Sequence, residues 1–167
     1  MANFTVRGPF DVPVTTKKAG RIITKADISS FWDARPGIAK TRGCYVFAFR
    51  ASKGLKPIYV GKATKTFSQE VFTDHKVRKY NDALADQVKG TPVLFFVALT
   101  TTKGPTNKTA IDDAESYLIQ LGLAANKELA NDRKVKVPSW SIQGVVRSSK
   151  GAVSKSAQEL KRCLSMN

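Results

Sequence analysis

Two runs rich in β-branched and aromatic residues, Gly43-Cys44-Tyr45-Val46-Phe47-Ala48-Phe49-Arg50 and Pro57-Ile58-Tyr59-Val60-Gly61-Lys62, flank a short polar segment containing Gly54. This pattern predicts a β-hairpin. With a side-chain period of two, Tyr45 and Tyr59 can stand on one face, and the neighbouring glycines admit a close backbone or ligand. Val93 to Leu99 is a continuous apolar run of strand length after Gly90-Thr91-Pro92, as expected of a central strand covered on both faces. Phe4-Thr5-Val6-Arg7 reads as a short strand, followed by loop at Gly8-Pro9 and Pro13.

Helical spacing organises most of the remainder. Thr24 and Asp27 form a capping box that opens a short helix through Ile28, Phe31 and Trp32, ended by Arg35-Pro36-Gly37. Phe67, Val71, Val77, Tyr80, Leu84 and Val88 supply an apolar stripe for a helix over 67–88, capped by Thr66, with a break expected at Asn81-Asp82. Thr109 and Asp112 read as a second capping box for a helix to about Leu123, with Ile111, Ala114, Leu118, Ile119 and Gly122 on one face. Residues 135–137 and 140–147 read as extended, and Ser156 with Glu159 caps a last basic helix ending near Leu164.

From Gly43 the order β, β, α, β, α implies a small α/β fold, its central, mostly antiparallel sheet covered by helices. Residues 1–42 read as an N-terminal extension packed on the core, because Phe31 and Trp32 would be costly to leave in water. Residues 43–132 form the core and 133–167 a basic C-terminal extension.

Charge narrows the choice of partner. The 167 residues carry 28 Lys plus Arg against 13 Asp plus Glu, a net charge of +15. The three segments contribute +5, +3 and +7 in chain order, so phosphate attraction would come mainly from the flanks. Such an excess favours a polyanion, with nucleic acid ahead of an anionic membrane surface; a basic surface kept for solubility is the plainer alternative. No apolar run approaches the ~20 residues of a membrane helix, and the N-terminus lacks a signal-peptide pattern, so a cytoplasmic, nucleoid-associated protein is expected. Cys44 and Cys163, far apart and outside any metal-binding spacing, argue against a zinc site or a disulfide framework.

Glu115 is the residue most suggestive of chemistry outside the hairpin. Ile111, Glu115 and Ile119 are four apart, so the carboxylate falls inside an apolar stripe, where it must be paired with a lysine or bind a metal. His75, the only histidine, stands among the cations Lys76, Arg78 and Lys79. Arg133, Lys134, Lys136, Arg147, Lys150, Lys155, Lys161 and Arg162 would track phosphates, whereas Trp140, alternating with Ile142, is expected in the core more than stacked on a base.

Gly43-Cys44-Tyr45 and Tyr59-Val60-Gly61 resemble the two motifs of the GIY-YIG nuclease family, with Cys44 in place of an aliphatic residue. His75 resembles the family's His, Glu115 its metal-binding Glu and Asn126 its Asn, all in the family's order. The family's Arg one turn before the His has no counterpart, since Val71 and Glu70 occupy that turn. The resemblance implies hydrolysis of a DNA phosphodiester with one Mg²⁺ or Mn²⁺; RNA is the second candidate substrate. Glu115 would hold the metal, and Tyr45 would take a proton from the attacking water, helped by His75. Tyr59 and Lys62 would position the phosphate, Asn126 would fix the geometry, and Lys62, Lys76, Arg78 or Lys79 would supply the missing charge. An endonuclease of this size that cuts both strands would be expected to act as a homodimer, though no residue marks a dimer surface. The absent Arg leaves open a module that binds nucleic acid on the same fold without cleaving it.

Overall fold

The computed structural model describes residues 2–52, 54–86, 89–100, 104–135, 142–143, 145 and 153–164. The chain divides into two compact units, Met1–Val135 and Lys136–Asn167.

The first unit is built on a four-stranded sheet. Its strands are β1 (Phe4–Asp11), β4 (Gly43–Ala51), β5 (Gly54–Ala63) and β6 (Thr91–Leu99), in the order β1-β6-β4-β5 with every pair antiparallel. The apolar run of β6 is hydrogen-bonded on both sides, to β1 and β4, as its composition predicts. The β4–β5 hairpin sets Tyr45 opposite Gly61 and Phe47 opposite Tyr59. A separate two-stranded ribbon, β2 (Thr15–Lys17) with β3 (Gly20–Ile22), has no counterpart in the sequence reading, because its strands are too short and polar to show a period.

Helices cover both faces. One face carries α1 (Lys25–Asp33), α2 (Pro36–Ala39), α3 (Phe67–Glu70) and α4 (Asp74–Asp86) over a core containing Phe31, Tyr45, Phe47, Phe67, Val71, Tyr80 and Phe96. The other carries α5 (Lys108–Ala125), which packs Ile111 against Cys44 and Leu99, and Ile119 against Val60 and Leu129. This is the α/β arrangement of an antiparallel sheet between helices. In the second unit the described helix is α6 (Lys155–Cys163), whose N-cap Ser154 hydroxyl accepts from Ala157 N at 3.2 Å.

Four local expectations differ from the structure. The first strand is an edge of the central sheet and not an appended extension; it runs through Gly8-Pro9 to Asp11 with a register shift between Arg7 and Phe10. The helix expected over 67–88 breaks at 71–73, not at Asn81-Asp82. There Phe72 packs edge-on to Phe31 and Trp32 (5.5 and 5.7 Å), and Thr73 O accepts from Lys76 N and Val77 N to restart the helix. Asn81 stays helical and accepts from Ile23 N at 2.8 Å, tying β3 to α4. The N-caps of α5 and α6 are Asn107 and Ser154, one turn or less before the positions expected, and Asp112 is drawn away from Thr109 by two lysines. The Thr24/Asp27 capping box is formed as predicted. Trp140, Lys136, Arg147 and Lys150 lie outside the described residues.

Candidate nucleic-acid cleft

Among the described residues the outer edge of β5 has no strand partner, and residues 126–131 close it. Asn126 Nδ2 donates to Pro57 O (2.8 Å), Ala130 N to Ile58 O (2.8 Å), and Asn131 bridges Val60 with both ends of its carboxamide, accepting from N (3.0 Å) and donating to O (2.7 Å). These contacts satisfy an edge that would otherwise offer open hydrogen-bonding groups. They also place the following residues, 131–134, beside Tyr59 and Lys62.

A cleft of about 430 Å³ opens along this edge, lined by Tyr59 and Lys62 of β5, His75 of α4, Glu115 and Ile119 of α5, and residues 131–134. Six of the residues singled out in the sequence, Tyr59, Lys62, His75, Glu115, Arg133 and Lys134, therefore meet in one place. Asn131 and Asp132 join them from a loop that carries no periodic signal.

Two carboxylates converge on one cation in this cleft. Asp112 and Glu115 are three apart on α5 and share a face. Lys134 Nζ lies 2.8 Å from Glu115 Oε2 and 2.9 Å from Asp112 Oδ1. Lys62 Nζ contacts the same two carboxylates, bonding to Asp112 and lying 3.3 Å from Glu115 Oε2. The Glu115 side chain is only 13% exposed, so a lone charge there would be costly, and the two lysines supply its partners.

Hydrogen bonds from Lys62 and then Lys134 hold the Asp112 carboxyl down to about 2. The bond to Asp112 raises the Lys62 pKa. Burial works against charge on Lys134, but its bonds to Glu115 and Asp112 lift its pKa above the ordinary value.

Lys134 has φ +61, a left-handed conformation that costs a residue with a Cβ about 1–2 kcal/mol. Gln120 Nε2 donates to Lys134 O at 2.8 Å, so α5 holds both the backbone and the ammonium of this residue.

The lowered Asp112 pKa has a defined consequence for stability. A carboxyl depressed on folding contributes stability that is present above its unfolded value of 3.8 and is lost as pH falls through about 2. The melting-temperature difference between wild type and Asp112→Asn should therefore be constant above pH 5 and shrink between about 4 and 2. A difference unchanged down to pH 2 would mean that the Asp112–lysine contacts do not persist in solution.

The other candidate residues lie elsewhere. Tyr45 is fully buried in the α4-side core, where its hydroxyl has the phenol of Tyr80 as its polar neighbour; Tyr80 donates its own proton to Val71 O at 3.0 Å. Burial drives the Tyr45 pKa well above that of a free phenol, opposite to what a base at neutral pH needs. The proton-accepting role expected of Tyr45 is thus at odds with its position.

Asn126 is 6% exposed and is used structurally. It is the C-cap of α5, accepts from Glu128 N (3.1 Å), and faces away from the cleft. Its expected place is taken by Asn131, five residues on in the same asparagine-bearing loop. Lys76 bonds to Glu70 O and lies 5.2 Å from the centre of the Tyr45 ring, and burial lowers its pKa. Lys79 pairs with Asp132 (2.8 Å) and donates to Ala130 O (2.8 Å), bracing the loop. Arg78 is exposed and does not line the cleft. Of the four candidates for the missing charge only Lys62 lines the cleft, and Arg133 and Lys134 join it there from a segment distant in sequence from His75.

The donor set suits a hard divalent cation. Two carboxylate oxygens meet at the Lys134 ammonium, so of the two expectations for Glu115 the lysine pairing is the one seen; oxygen ligands of this kind are also those Mg²⁺ and Mn²⁺ prefer. Among the described residues no group of three or more His, Cys, Asp or Glu side chains is placed to share a metal, so water and a substrate phosphate would complete the coordination. Among the described residues no helix is long and apolar enough to cross a membrane. Comparison with family models, curated proteins and solved structures finds no match to this chain.

Proposed function

We infer that this cleft binds a phosphodiester of nucleic acid, DNA in the first instance, and hydrolyses it in the manner of a GIY-YIG endonuclease. The observation that carries the reading is the meeting of Tyr59, Lys62, His75 and Glu115 in one cleft with Arg133 and Lys134. The chain's net charge of +15 supports a polyanionic substrate.

In this reading Lys62, Lys134 and Arg133 draw the phosphate into the cleft and neutralise its charge. The Tyr59 hydroxyl donates to a non-bridging oxygen and fixes its orientation. His75 accepts a proton from the attacking water as its oxygen bonds to phosphorus, since imidazole is the side chain suited to that exchange near neutral pH. The bond from phosphorus to the leaving oxygen breaks, and that oxygen takes its proton from solvent. A divalent ion on Glu115, with Asp112 beside it, would polarise the phosphate and stabilise the leaving oxygen. The test is incubation of the full chain with supercoiled plasmid, branched DNA and single-stranded DNA in Mg²⁺ or Mn²⁺, and in chelator. Metal-dependent nicking supports the reading.

The full burial of Tyr45 favours a second reading, a binding module on the same fold, because it removes one expected participant in proton transfer. Tight binding without cleavage of any of these substrates would select it. Tyr45 also provides a sharper test of mechanism. The Tyr45 hydroxyl is buried with no polar neighbour beyond the Tyr80 phenol among the described residues, so Tyr45→Phe forfeits at most one neutral hydrogen bond and should melt within about 1.5 kcal/mol of wild type and keep cleavage within a few-fold. Loss of cleavage with unchanged stability would show that the hydroxyl reaches the substrate in the bound state.

A further inference from the structure

We propose that Lys134 is a built-in counter-cation that occupies the metal position of the free protein and yields it only when a nucleic-acid phosphate enters, so that substrate binds before metal. This rests on the nuclease reading of the cleft and specifies the order in which its ligands assemble.

The geometry supports it at three points. The Lys134 ammonium is within 3 Å of one oxygen from each of Glu115 and Asp112, and Lys62 contacts the same two groups, so two carboxylates are balanced by two ammoniums. A divalent ion approaching this neutral cluster gains little attraction and must displace a cation already seated.

The second point is that the displaced group has somewhere to go. Lys62 and Lys134 line the cleft where the phosphate is drawn, with Arg133 beside them. A phosphate there offers both lysines a new anionic partner, releases the carboxylates, and supplies an oxygen ligand of its own. Nucleic acid and metal would then favour each other's binding, and the coupling must be equal in both directions.

The third point is that Lys134 is held in place at a conformational cost. Its backbone is left-handed although it is not glycine, and Gln120 fixes its carbonyl. A lysine required only for surface charge would need neither feature.

The test is Mn²⁺ binding to the full chain, followed by the electron paramagnetic resonance signal of free Mn²⁺, with and without a short phosphorothioate duplex. The Glu115→Gln protein is the reference, so that only binding dependent on Glu115 is counted. Expected is weak binding to wild type alone, tightened about tenfold or more by the duplex. Lys134→Met should bind Mn²⁺ about tenfold more tightly than wild type without nucleic acid, and the duplex should then add little. Lys134→Gly, which removes the ammonium and accepts the left-handed backbone, should behave alike and guards against misfolding of the Met variant. Glu115-dependent binding that neither the lysine substitutions nor the duplex alters would overturn the proposal and leave the nuclease reading standing. Binding that Glu115→Gln does not change in any state would remove both.

Discussion

Gly61→Ala is expected to lower the melting temperature by about 6–12 °C, the counterpart of roughly 3 kcal/mol in a domain of this size. A Cβ at this position would lie 2.3 Å from Tyr45 Oη, 2.4 Å from Cζ and 2.9 Å from Cε1. All three distances fall well inside van der Waals contact, and the obstacle is not the mobile tip of an exposed side chain. Tyr45 is fully buried, paired across the hairpin with Gly61 on one side and with Phe96 on the other, and its ring packs edge-on to Phe67 at 6.4 Å. No compensating rotation is open to it in a close-packed core.

The penalty is therefore steric, and it explains why a glycine follows Tyr59-Val60: it leaves room for the tyrosine of the partner strand. Thermal denaturation of Gly61→Ala checks the size of the effect. A Tyr45→Leu/Gly61→Ala double variant should lose less than the sum of the two singles, because the shorter side chain vacates part of the space. Strict additivity would mean that the two residues do not oppose each other as described.

Glu115→Gln is expected to reduce the rate of phosphodiester cleavage about 10³-fold, the equivalent of about 4 kcal/mol of transition-state stabilisation. The substitution keeps the shape of the side chain but removes the charge on which, in the proposed reading, a divalent ion would depend. Affinity for nucleic acid should hold or rise slightly, since Lys62 and Lys134 lose an internal partner and become more available to phosphate. Rate and affinity moving apart in this way separate a chemical role from a structural one. Parallel loss of both, with a lower melting temperature, would instead mark Glu115 as the anchor of an ion-pair cluster.

The sheet was legible because its signals are local. Two β-branched runs around a glycine gave the hairpin, and an uninterrupted apolar stretch gave the strand buried on both sides. Glu115 was legible for a similar reason, as a carboxylate out of place in an apolar stripe. What escaped notice depends on tertiary partners. Phe72 breaks a helix that its sequence period would continue, because two aromatic residues of α1 receive it. Asn131 carries no signal in the sequence, and Lys134 is visible there only as one of eight phosphate-tracking cations; their roles arise from the exposed edge of β5 and from the carboxylates of α5. Asn126 was the more obvious of two nearby asparagines, yet the end of α5 consumes it as a cap. Tyr45 shows the opposite limit: the strand that carries it is visible in the sequence, while the depth of its side chain is not.

The most direct measurement is single-turnover cleavage of an end-labelled DNA duplex by wild type and Glu115→Gln, in Mn²⁺ and in chelator, with binding followed in the same samples. Cleavage by wild type in metal only, a loss of about 10³-fold in the variant and undiminished binding are expected. Cleavage that survives chelator or the Glu115 substitution would contradict a metal-assisted site in this cleft.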